Sequence, residues 1–247
     1  FTVVITIAGP TDFGVPYWYS YADDVQDSSL PLFSMEHDLQ QSEDGFVPYV
    51  LRAQQVAKRP LRLEATLDYP PDWMLNASTP LPSPDLNTTT LSALATYYYK
   101  YYETMTKSGL NLEYIALFNE LTDSYCNASY ENTRSLLVDY VSPMFRADKN
   151  APKLTWTAKY GRRQSHEASG SFYDMEGVQE ATDVIFYHGY DCNDGPAEDI
   201  GWTCTSGLNT TCPYLTDAAN RMKEFYDDYG RDRTIWMPEL CYASEFG

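Results

Sequence analysis

Basic residues are scarce in this chain: 17 Lys and Arg stand against 35 Asp and Glu, for a net charge of −18. Binding to a phosphate backbone depends on clustered Lys and Arg. No such cluster stands out, Arg162 and Arg163 being an isolated pair, so nucleic acid is excluded as a partner. No apolar run approaches the ~20 residues that cross a bilayer. Only three histidines occur, widely separated, and there is no C-x-x-C, which removes the usual metal-ligand spacings. No cofactor and no metal is therefore expected. No G-x-G-x-x-G follows a strand-like segment, and no Walker A sequence or G-x-S-x-G elbow is present. Dinucleotide binding, phosphoryl transfer through a P-loop and serine-elbow hydrolysis lose their support.

What is present is a globular composition, 43% apolar and 21% charged over 247 residues. That length suits one α/β domain with a sizeable core, and residues 1–247 read as a single domain. Residues 1–7 lack the charged start and small-residue cleavage site of a signal peptide, so the chain is expected to be processed or a fragment. Four Asn-x-Ser/Thr sequons occur at Asn76, Asn87, Asn127 and Asn209, each in a stretch read as loop or turn. Such sites accept N-linked glycans when the protein passes through a secretory route. Five cysteines fit that setting. Cys192, Cys204 and Cys212 lie in one long polar stretch, where disulfides would keep the chain ordered. Cys126 is a further candidate, the connectivity stays open, and the odd count leaves one thiol unpaired or bonded to another chain.

Strand-like and helical segments alternate. Strands are expected over residues 2–7, 61–66, 112–118, 153–158, 183–187 and 234–237. Helices are expected over 46–57, 89–108, 130–146, 170–181 and 215–229. The 89–108 segment carries Leu91, Leu94, Ala95, Tyr98, Tyr102 and Met105 at helical spacing, with Gly109 where a C-terminal cap belongs. Its tyrosine run, 97–102, reads as helix surface and core. Residues 69–87, with five prolines, read as loop. Strand alternating with helix predicts a parallel sheet with right-handed crossovers.

Two of these strands run into a glutamate: Tyr114-Ile115-Ala116-Leu117-Phe118-Asn119-Glu120 and Thr234-Ile235-Trp236-Met237-Pro238-Glu239. A β/α barrel gathers the C-terminal ends of its strands at one face. Two carboxylates held there across a cleft are the minimal machinery for cutting a glycosidic bond.

Ordered motifs along nearly the whole chain resemble glycoside hydrolase family 30. They are Ile5-Thr6-Ile7-Ala8-Gly9-Pro10-Thr11-Asp12-Phe13, Pro70-Pro71-Asp72-Trp73-Met74, Asn119-Glu120, Tyr187-His188-Gly189-Tyr190 and Pro238-Glu239-Leu240-Cys241. The resemblance implies an α/β, TIM (β/α)8-type barrel. It is incomplete in this chain, with strands 2–7 present and strands 1 and 8 not, so another chain or segment would complete it. It implies a retaining β-glycosidase acting on a β-glucoside or β-glucan, with Glu120 as acid/base and Glu239 as nucleophile. Asn119 would bind the sugar 2-hydroxyl, His188 and Tyr190 would orient the nucleophile, Asp12 would hold a distant hydroxyl and Trp73 would support the cleft wall. The competing structural readings are a turn cap for Asp12, a core position for His188 and packing for Tyr190. A carbohydrate or glycolipid substrate and a secreted, extracellular or lysosome-like location follow from the same resemblance. Three positions depart from the family pattern: the usual Arg of the second strand falls within Val3-Val4-Ile5, Asp68 replaces a Trp, and Leu121 replaces a Pro. These departures keep a second function open, a secreted scaffold derived from a glycosidase with little or no activity.

Overall fold

The computed structural model describes residues 3–7, 19–23, 27–40, 45–67, 70–76, 83–84, 87–119, 128–156, 170–186, 220 and 223–236. Strand β1 is Val3–Ile7 and β2 is Arg62–Thr66. Between them lie a short helix, α1 (Glu36–Leu39), and α2 (Phe46–Ala57). Pro48 falls in the first turn of α2, where its missing N–H breaks no internal bond. Lys58, in the left-handed conformation (φ 53°), ends the helix.

Helix α3 (Thr88–Lys107) has both ends fixed by its own sequence. Asn87 caps the start, its side-chain oxygen accepting from the N–H groups of Thr89 (2.9 Å) and Thr90 (3.2 Å). At the other end Gly109, at φ 84°, turns the chain. Its N–H donates to Thr106 O and that of Leu110 to Met105 O, both at 3.0 Å, the paired bonds of a Schellman cap. All six apolar positions read from the sequence are buried, and Tyr97 and Tyr101 with them.

Strand β5 (Asn111–Ala116) follows, and the next helix runs from Tyr130 to Arg146 in three parts. These are α4 (Tyr130–Ser135), a wide π-helical stretch (Leu136–Val141) and α5 (Ser142–Arg146). Pro143 does not end it. The Ser142 N–H reaches back five residues to Leu137 O, and this widened turn gives the proline ring room where an α-turn would clash. Strands β6 (Lys153–Thr155), β7 (Val184–Phe186) and β8 (Thr234–Trp236) complete the series, with α6 (Val178–Ala181) before β7.

The expectation that residues 69–87 are wholly loop is corrected. A 3-10 turn forms at Asp72–Met74, and two short strands, β3 (Leu75–Asn76) and β4 (Ser83–Pro84), pair antiparallel. Asn76 therefore lies on a strand and not in a loop. Proline is tolerated there because so short a pair leaves its nitrogen out of the ladder.

All the remaining pairings are parallel, and the strands are neighbours in the order in which they occur. One sheet runs β1-β2-β5-β6 and a second pair is β7-β8. Asp183 joins the two, its N–H donating to Leu154 O and its carboxylate accepting from Leu154 N, both at 2.9 Å. A doubly wound sheet would show a reversal of strand order; none is seen among the described residues. The winding is that of a barrel, although no closed ring of strands forms among the described residues.

Burial divides the sheet into two faces. Leu63, Ala65, Ile115, Leu154 and Ile185 join the large core shared with α2, α3 and the 130–146 helix. Tyr114, Ala116, Val184 and Phe186 form a second cluster on the opposite face, with Trp236 packed against it. The Tyr114 and Trp236 rings lie 5.0 Å apart, although β5 and β8 are three strand spacings from each other. In a flat sheet that separation would be about 14 Å. The sheet therefore curls, and the second cluster fills its concave side.

Candidate active site

The register brings the C-terminal ends of the first four long strands level. Ile7 pairs with Thr66, Thr66 with Ala116, and Ala116 with Thr155. Phe186 pairs with Trp236 in the same way. In the sequence, Asp12, Asn119-Glu120, His188-Gly189-Tyr190 and Glu239 each come within a few residues after the end of one of these strands. Glu120, Glu239, Asp12, His188 and Tyr190 themselves lie outside the described residues, as do Asn127, Asn209 and all five cysteines.

Asn119 is described, and the rim pins it. After β5 the chain continues across the sheet edge, with Leu117 N–H donating to Thr155 O (3.3 Å) and Asn119 N–H to Leu67 O (3.1 Å). Tyr98 of α3 donates its hydroxyl to Leu117 O from the helix side. The turn that delivers Glu120 is thus tied to β2, β6 and α3. The Asn119 side-chain oxygen is buried and has no hydrogen-bond partner among the described residues. An acceptor in that condition costs on the order of 1–3 kcal/mol unless a donor reaches it.

Trp73 is half-buried against the core, and its indole N–H donates to Ala22 O at 2.8 Å. That bond fixes the ring between the β2 rim and the segment after β1. Asn87 is exposed and serves as the α3 cap.

Sequence reading passed over two features of the concave side. Arg62, at the opposite end of β2, bonds both oxygens of Glu113 and the Tyr114 hydroxyl (2.9 Å). Its guanidinium lies 5.6 Å from the Trp236 ring centre and 5.9 Å from that of Tyr114. The hydrogen bond from Arg62 holds the Glu113 carboxyl below its ordinary range, whereas burial pushes the Tyr114 phenol up. The second is a polar stripe on β2. Glu64 and Thr66 are 2% and 3% exposed and alternate with the helix-facing Leu63, Ala65 and Leu67. Residue type gave no warning of either feature, because facing direction is set by the bulge between β2 and β5, where the register slips at Leu63/Glu64. A hollow of about 450 Å3 bordered by Phe33, Met35, Glu36, Leu39 and Thr104 includes none of the candidate residues.

A parallel, singly wound, curled sheet with polar groups at its C-terminal rim defines the β/α-barrel class. No family model matches the sequence, and no curated protein matches it. The fold is nevertheless similar to those of solved proteins. SrfJ from Salmonella typhimurium superposes with a TM-score of 0.73 over 100% of this chain and 50% of its own length, at 16% identity. The endo-β-1,6-glucanase BT3312 gives 0.68 over 96% of this chain and 48% of its own, at 15% identity. The catalytic domain of the GH30 xylanase C from Talaromyces cellulolyticus gives 0.59 over 76% and 44%, at 13% identity. The likeness to glycoside hydrolase family 30 that the motifs led us to expect is present in the fold. The chain spans about half the length of these structures.

Proposed function

We propose that this chain carries the catalytic centre of a retaining β-glycosidase acting on a β-glucoside or β-glucan. The observation that supports it most is the approach of β5 to β8 across the concave side, with the Tyr114 and Trp236 rings at 5.0 Å. Each of these strands leads within a few residues to a glutamate, Glu120 from β5 and Glu239 from β8. Glu239 attacks the anomeric carbon while Glu120 protonates the departing oxygen. Glu120 then takes a proton from water, which releases the sugar from Glu239. Such a pair stands about 5–5.5 Å apart. At that distance, charge on the nucleophile raises the pKa of its neighbour, so that Glu120 enters the cycle protonated. The buried Asn119 oxygen accepts from the sugar 2-hydroxyl, which satisfies an otherwise orphaned acceptor. Asp12, His188 and Tyr190 complete the rim, and Trp73 supports its wall.

The proposal extends to a secreted glycoprotein. At Asn87 the helix cap uses only the side-chain oxygen, which leaves the amide nitrogen for a glycan. A second reading, a carbohydrate-binding scaffold without turnover, draws on Asp68 in place of the family's Trp. Labelling with a cyclitol epoxide separates the two. Covalent capture at Glu239 is the expected result, and folded protein that takes no label would leave the scaffold.

A further inference from the structure

Thr66 closes β2 at the same rim and has no role in the mechanism above. It is 3% exposed, and its hydroxyl oxygen is buried with no hydrogen-bond partner among the described residues. A threonine in a strand ordinarily gives its hydroxyl to a neighbouring carbonyl or exposes it to water, because a buried polar group left alone is costly. The alternation of β2 turns this hydroxyl away from the helices and toward the concave side, since Ala65 and Leu67 on either side of it face the helix-packed core.

Its position is central. Thr66 is level with Ile7, the last residue of the strand that leads to Asp12, and with Ala116, near the end of the strand that leads to Asn119 and Glu120. The next residue, Leu67, accepts the Asn119 N–H at 3.1 Å. Two buried side-chain oxygens without partners among the described residues, Thr66 Oγ1 and Asn119 Oδ1, thus belong to segments joined by that backbone bond, one at the end of β2 and the other just past the end of β5. One offers a donor and an acceptor and the other an acceptor. Adjacent hydroxyls on a pyranose ring present the matching set.

We infer that Thr66 is a sugar-binding residue that bonds the ring hydroxyl next to the one taken by Asn119. The inference rests on the glycosidase reading for the identity of the ligand, but not on turnover. The experiment is calorimetric binding of 1-azasugars of gluco and xylo configuration, with their monodeoxy analogues, to wild type, Thr66→Val and Thr66→Ser. Thr66→Val keeps the shape and removes the hydroxyl, so affinity should fall about five- to tenfold. Thr66→Ser should restore most of it. One monodeoxy analogue should lose the same factor against wild type and lose nothing further against Thr66→Val, the mark of a direct contact. Thr66→Val should not lower Tm, since it removes an unpaired polar group, whereas a purely structural hydroxyl would cost stability. Equal affinity of wild type and Thr66→Val overturns the inference while Glu239 labelling still stands. Loss of azasugar binding in Thr66→Val with no labelling of wild type supports the inference and removes the hydrolase. Failure of wild type to bind any of the probes overturns it.

Discussion

Arg62 shows how far one side chain reaches at the closed end of the sheet. It bonds Glu113 and Tyr114 of β5 and lies over the ring of Trp236 of β8. Arg62→Met should cost about 1–2 kcal/mol, read by urea denaturation, from the loss of a partly exposed ion pair and its ring contacts. The pH dependence has a definite sign. Folding lowers the Glu113 pKa, chiefly through the Arg62 bond. Its contribution is therefore full above the unfolded value near 4.3 and is lost as pH falls through the lower folded value. The stability gap between wild type and Arg62→Met should narrow below about pH 4. At the rim, Glu120→Gln should slow glycosides with poor leaving groups by a factor of about 100 or more and leave good ones far less affected, because only the former need the proton. Equal losses for both would deny Glu120 the acid/base role.

Elements in this chain are shaped by a few positions where the backbone has little choice. Asn87 and Gly109 delimit α3; Gly109 was legible in the sequence because a glycine cap has local chemistry, whereas Asn87 read only as a sequon in a loop. Asn87→Ala should cost about 1 kcal/mol, seen as a drop in Tm, while Asn87→Asp should cost little. Gly177 was not legible. It has φ 81°, and a Cβ there would lie 2.8 Å from Val138 Cγ1 on the π-helical stretch. Gly177→Ala should destabilise by roughly 1–3 kcal/mol, and pairing it with Val138→Ala should recover part of that loss. The π-helical stretch escaped sequence reading as well. Pro143 signals a break in an α-helix, but whether the chain stops or widens depends on what packs around it. Here Leu136, Leu137, Val141 and Phe145 are all buried, so continuing the helix keeps four apolar side chains in the core.

Across the whole molecule, the net charge of −18 opposes compaction at neutral pH. Screening acts over about 10 Å at 0.1 M salt, so Tm at pH 7 should rise by a few degrees between roughly 10 and 150 mM NaCl. A Tm insensitive to salt would mean that the acidic residues are spread too widely to repel. The chain spans about half the length of the solved proteins it resembles, and among the described residues the row of parallel strands does not close, which leaves edge groups at β1 and β8. The strand-helix alternation, the ordering of six parallel strands and the glutamates that follow two of them could be read from sequence, because apolar period and turn residues are local properties of the chain. Which residues share the concave side was not local. The slip in register at Leu63/Glu64 and the curl of the sheet decide which way each side chain points. Only tertiary packing could therefore bring Tyr114 to Trp236, hold Arg62 across both, and leave the oxygens of Thr66 and Asn119 both buried.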